Sequence, residues 1–228
     1  MHTELPSPHP HIQLGTITDE DIDQILEAGA FKVSESRAIR SLLSDEEEGF
    51  HLLDQSRFQA IILEISDRLQ ESLVCFVRVR QRLTQVGLAN LRTAIYLSQI
   101  WMNYRRNGIL PKTGPLKGPV VETVDILREM NFLKGYEKFE LLTMSGNYYL
   151  FLVAFFEDYF HELEYLNGRP NMAYYEAFAR IAFRAARDHS LSAEFELTEV
   201  CHDLSENFSL IRSAISGLAE RPEITTAH

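Results

Sequence analysis

Apolar positions recur at helical spacing over most of this chain. The most regular run is Ile62, Leu69, Phe76 and Leu83, one apolar residue every seven, with Ile65, Val79 and Val86 at the interleaved positions and Ser72 as the polar exception. That period predicts a helix of about eight turns, from Arg57 to Val86. Leu73 and Val77 widen its stripe beyond the seam of an isolated coiled coil, so it is expected to lie against several helices of a bundle. A second series, Leu197, Leu204, Ile211 and Leu218, flanked by Cys201, Phe208 and Ile215, predicts a long last helix from Ser192 to Leu218. These two helices are the expected spine.

Shorter elements surround them. Thr18 followed by Asp21 reads as a capped helix start with Gly29 as its stop, then come Ser34 to Leu43 and a third start at Ser44 to Glu47. Gly87 bends or ends the long helix, and Leu88 to Asn107 forms the next, with Gly108 in the stop position. Val120 to Phe132 is amphipathic, and Asn171 opens a helix to Arg187 rich in alanine, with Arg180, Arg184 and Arg187 as a basic ridge. Residues 137–153 admit two readings: a small β-hairpin around a Ser-Gly turn, or a helix end, a break at Gly146 and a new helix from Tyr148 towards Leu166. The second is favoured from Tyr148 onward.

The expected fold is therefore all-α, a bundle of about eight or nine helices. Residues 18–220 read as one helical domain, between a flexible tail over 1–17 and a frayed tail over 221–228. The Pro- and Gly-rich loop over 108–119 is the one candidate internal boundary.

Composition supports a packed core, with 45% hydrophobic and 11% aromatic residues in 228. The longest apolar run, Tyr148 to Phe156, is far short of the roughly 20 residues needed to cross a bilayer, and residues 1–13 lack the pattern of a secretory signal. Cys75 and Cys201 both fall among apolar helical positions, which suits free thiols in a reducing cytoplasm. The aromatic residues crowded between Tyr148 and Phe183 are expected to be mainly core, with a subunit interface as the next reading and a ligand pocket the last. A homodimer is the expected assembly.

Charge changes the picture most. The formal net charge is -11, yet residues 72–121 hold eight Lys or Arg and no Asp or Glu. From Cys75 to Lys138 eleven basic residues face four acidic ones, a net of +7, so the remainder carries -18 (-11 less +7). Three readings follow: pairing with acidic helices of the same chain, above all Asp45 to Glu48, contact with nucleic acid, or contact with an acidic protein partner. The residues singled out are Arg78, Arg82, Arg105, Arg106, Lys112 and Lys117. The helix from Val120 ending Leu127-Arg-Glu-Met-Asn-Phe-Leu133, followed by a strand ending Leu142-Thr143 and by Gly146, resembles the last helix and wing of winged-helix DNA-binding proteins. The resemblance stops short of that fold's second helix, where the Pro-Gly loop stands instead.

No nucleophile elbow or Gly-rich phosphate loop occurs. Carboxylate-x-x-His pairs do: Glu48 with His51, Asp158 with His161, and Glu199 with His202. That spacing puts both groups on one helical face, as in di-iron bundles. The heptad places Glu199 and His202 toward solvent, which leaves Glu48, His51, Asp158 and His161 as the ligand set of an alternative reading, a ferritin-like or haem-oxygenase-like enzyme using iron, manganese or haem. The primary expectation is a non-enzymatic regulatory or interaction protein without a cofactor.

Overall fold

The structure, a computed structural model, describes residues 17–108, 123–157 and 170–218. All regular structure among these residues is helical: α1 (Asp19–Ala28), α2 (Val33–Leu43), α3 (Glu46–Leu53), α4 (Ser56–Glu64), α5 (Glu71–Gln85), α6 (Leu91–Asn107), α7 (Thr123–Phe132), α8 (Gly135–Phe155), α9 (Met172–Arg187), α10 (Leu191–Glu194), α11 (Thr198–Glu206) and α12 (Phe208–Ser216). No described helix is long and apolar enough to cross a membrane. The chain forms two compact units, one ending at Gln99 and the other beginning at Ile100, so the division falls within α6.

In the first unit the Thr18 hydroxyl accepts the Asp21 backbone N–H at 3.2 Å, and one Asp21 carboxylate oxygen accepts from Thr18 N–H at 3.1 Å and from its hydroxyl at 2.7 Å. The other oxygen of this buried carboxylate accepts the Gln70 backbone N–H at 2.9 Å. One aspartate thus closes the start of α1 and fixes the chain entering α5. That tie accounts for a departure from the heptad: the expected helix over 57–86 is two helices, α4 and α5, with a turn between them. Ile65 caps the end of α4, and the polar Ser66, Asp67 and Arg68 carry the turn, while Ile62, Leu69, Phe76 and Leu83 all remain buried. At the far end of α5, Gly87 adopts φ +82, with Gly87 N–H on the Thr84 carbonyl at 3.0 Å and Leu88 N–H on the Leu83 carbonyl at 2.9 Å. This left-handed C-cap ends the helix.

In the second unit residues 137–153 belong to one unbroken helix, α8, so neither the β-hairpin nor the break at Gly146 forms. From Leu141 to Phe155 every residue is buried except the half-buried Met144. The side chains that suggested a turn are satisfied within the helix: the Thr143 hydroxyl donates to the Phe139 carbonyl at 3.1 Å and Ser145 to Leu141 at 2.5 Å. Gly146 is a packing position, where a Cβ would lie 2.6 to 2.8 Å from three atoms of the Phe183 ring.

α7, α9, α10 and α12 all pack on α8. On α9, capped by Asn171 accepting the Tyr174 N–H at 3.2 Å, Ala179, Ala182 and Ala186 are buried whereas Ala173, Ala177 and Ala185 are not. The expected last helix over 192–218 is three helices, α10 to α12. Glu196 at φ +55 and Asn207 stand at its breaks, yet Leu197, Leu204, Ile211 and Leu218 are all buried.

Candidate functional site

The basic residues of α5 divide by burial. Arg80 is buried and its Nε and Nη2 donate to the two Asp54 carboxylate oxygens at 2.5 and 2.6 Å, from the α3–α4 turn. This cation is consumed by the fold, paired with Asp54. Arg78 is half-buried and Arg82 exposed, one turn apart on the same side of the helix. Arg82 donates to Gln85 Oε1 at 3.4 Å, a weak contact.

Arg105 and Arg106 occupy the last turn of α6, where the helix dipole favours cations. The Arg105 guanidinium sits 5.5 Å from the ring centroid of Trp101, itself buried, while Arg106 is exposed. Gly108 at φ +78 follows, its N–H on the Tyr104 carbonyl at 2.8 Å. Arg78 and Arg82 belong to the first unit and Arg105 and Arg106 to the second. Lys112 and Lys117 lie outside the described residues, as do the 221–228 tail and nearly all of the 1–17 tail and of the 108–119 loop.

The α9 ridge is engaged internally. Arg180 donates to the Ser205 carbonyl at 3.0 Å, Arg184 reaches both Glu206 oxygens at 3.1 and 3.4 Å, and Arg187 pairs with Asp188 at 2.8 and 3.3 Å. Hydrogen bonds from these arginines hold the Glu206 and Asp188 carboxyls below their ordinary range. The winged-helix resemblance loses its wing, because the residues assigned to the strand and turn are part of α8.

Of the carboxylate-x-x-His pairs, Glu48 and His51 are exposed on α3, Glu199 and His202 are exposed on α11, and Asp158 and His161 lie outside the described residues. Among the described residues no group of three or more His, Cys, Asp or Glu could hold a metal ion. Both thiols are buried; Cys75 donates to the Ser98 carbonyl at 3.3 Å, and burial pushes the Cys201 thiol up to about 12. Tyr148, Tyr149, Phe151, Phe155, Tyr175, Phe178 and Phe183 are buried, in line with the core reading.

A cluster only partly signalled in the linear sequence forms where α8 begins. Tyr136, Phe139 and Glu140 share one face of α8, and Phe139 stacks on Phe195 with centroids 5.7 Å apart and planes at 11°. Tyr136 meets Phe195 edge-on at 6.0 Å, and the His189 ring lies 5.4 Å from that of Phe139. Burial, then the Glu140 charge, raises the Tyr136 phenol; burial, then Glu137, raises Glu140; burial, then Lys138, lowers His189. Helical spacing alone unites 136, 139 and 140, whereas 189 and 195 join them only through the turn after α9. Against known proteins the chain matches no family model, no curated protein and no solved structure.

Proposed function

We propose that this chain is a non-enzymatic regulatory or interaction protein whose basic region, residues 72–138, contacts nucleic acid or an acidic protein partner. The reading rests on one observation above the others: in an acid-free stretch of fifty residues, Arg80 is turned inward to Asp54 while Arg82, Arg92 and Arg106 stay exposed. Exposed cations with no carboxylate in their own stretch can attract a polyanion even in a protein of net negative charge. A homodimer in a reducing cytoplasm belongs to the same proposal, supported by the two buried thiols and by exposed Tyr174 and Ile181 on one face of α9, 39% and 60% accessible. Sedimentation equilibrium tests the dimer.

The interaction itself is tested by mobility shift with single- and double-stranded oligonucleotides at about 50 and about 200 mM salt. Nucleic-acid binding should weaken steeply with salt, and the triple variant Arg82→Ala, Arg105→Ala, Arg106→Ala should bind at least tenfold more weakly, its salt slope reduced by about 0.9 for each phosphate that is no longer neutralised. Polyglutamate retention that the triple variant abolishes, without an oligonucleotide shift, identifies the acidic-protein form. Absence of both overturns the proposal.

A further inference from the structure

The corner joining α9 to α11 is closed by a histidine in an unusual position. His189 follows the Asp188 C-cap of α9, and its Nδ1 accepts the backbone N–H of Leu191, two residues on, at 3.2 Å. This is the contact an Asx turn makes, built here with imidazole. Leu191 is the first residue of the four-residue α10, which packs on α8 and is too short to persist on its own hydrogen bonds. Two backbone bonds continue the same corner: Ser192 N–H donates to the His189 carbonyl at 2.9 Å, and Leu197 N–H to the Ser192 carbonyl at 2.8 Å. Phe195, at the end of α10, is the middle ring of the stack against Phe139 and Tyr136.

An imidazole that accepts at Nδ1 carries its one proton on Nε2. A proton added at Nδ1 turns the acceptor into a donor aimed at another donor, and the Leu191 bond is broken. We propose that His189 is a proton-operated latch: neutral, it holds the 189–197 corner and its Phe195 ring against α8, and on protonation at Nδ1 it releases them.

The charges on the surrounding elements fix the direction. On α8 these are Lys138, Glu137, Glu140 and the Tyr136 phenol; on α9, Arg187 and Asp188, which pair with each other at 2.8 Å; on α10, Glu194, with Glu196 just beyond it. Lys138 is the cation felt by the His189 ring, and it disfavours a second positive charge there. Burial against Phe139 acts in the same sense. The C-terminus of α9 favours a cation and opposes both, but a cationic ring could no longer accept from Leu191.

Amide hydrogen exchange of Leu191, corrected for intrinsic rate, tests the latch between about pH 7.5 and pH 5. Protection should fall about tenfold, the equivalent of one broken hydrogen bond, along the titration curve of the His189 ring followed by NMR. His189→Asn offers an oxygen acceptor at the same two-residue offset and does not titrate, so it should stay protected across the range. His189→Leu, which has no acceptor, should be unprotected throughout, and Lys138→Met should shift the release to higher pH. A pH-dependent loss that persists in His189→Asn, or that Glu140→Gln abolishes, overturns the proposal, as does a His189 titration with no change at Leu191.

Discussion

Gly146 is held to hydrogen by its neighbour rather than by its backbone, since Phe183 fills the space a methyl group needs. Gly146→Ala should therefore destabilise the protein by about 1–3 kcal/mol despite the better helix propensity of alanine, a difference readable in urea denaturation. Arg80 is the second residue of this kind. Asp54→Asn leaves a buried guanidinium without its counter-charge; with 34% of the Asp54 side chain accessible, a loss of about 2 kcal/mol is expected, below that of a fully buried pair, and replacing Arg80 by Met as well should restore most of it. The thiols should be inert to iodoacetamide in the native protein and react on unfolding, because both are buried and Cys201 resists ionisation. Titration of His189 and Glu140 acts in opposite senses. The folded value of His189 lies below its ordinary one, so its contribution is present above about pH 6.5 and is lost as pH falls through that lowered value. Glu140 is raised, so its contribution is present below the usual carboxylate range and lost as pH rises. Glu140→Gln should accordingly raise Tm at about pH 7 and leave it unchanged at about pH 4.

At the level of elements, a residue chosen against its backbone marks a break. Glu196 takes φ +55, a region that costs an L-residue about 1 kcal/mol or more, so Glu196→Gly should raise stability by about 0.5–1 kcal/mol in thermal melts. The two heptad series show how much of the fold is legible in the amino-acid sequence. Every leucine, isoleucine and phenylalanine in them is buried, because burial of one face depends on composition and period alone. Helix continuity is not legible, because it depends on tertiary hydrogen bonds: Asp21 reaches across 49 positions to Gln70, and Ser192 accepts from Leu197. The reverse error occurs in α8, where Thr143, Ser145 and Gly146 look like turn residues but turn inward onto their own helix or leave room for Phe183. Of the candidate site, the excess of cations is legible and their fates are not, since Arg78, Arg80 and Arg82 differ only in which way the helix points them. The His189 corner is illegible in a different way: its contact to Leu191 is local, but the ring it packs on, Phe139, lies on α8 about 50 residues away in sequence.

For the whole molecule, charge segregation gives a bulk prediction. With -18 outside residues 75–138 and +7 within them, the protein should bind an anion exchanger and also be retained on heparin at low salt. Replacing Arg82, Arg105 and Arg106 by Ala should abolish only the second retention, a difference that elution conductivity measures. The enclosure of α8 has another outcome, felt before the protein is finished. α8 is complete at Phe155, but α12, which helps to cover it, is complete only at Ser216. At synthesis rates of roughly 5–20 residues per second, the most apolar of the described helices waits on the order of 3–12 s at the ribosome for partners that have not yet been made. Chaperones that shield apolar nascent segments should therefore engage this chain between those two points, and truncation before α12 should turn a folding protein into an aggregating one.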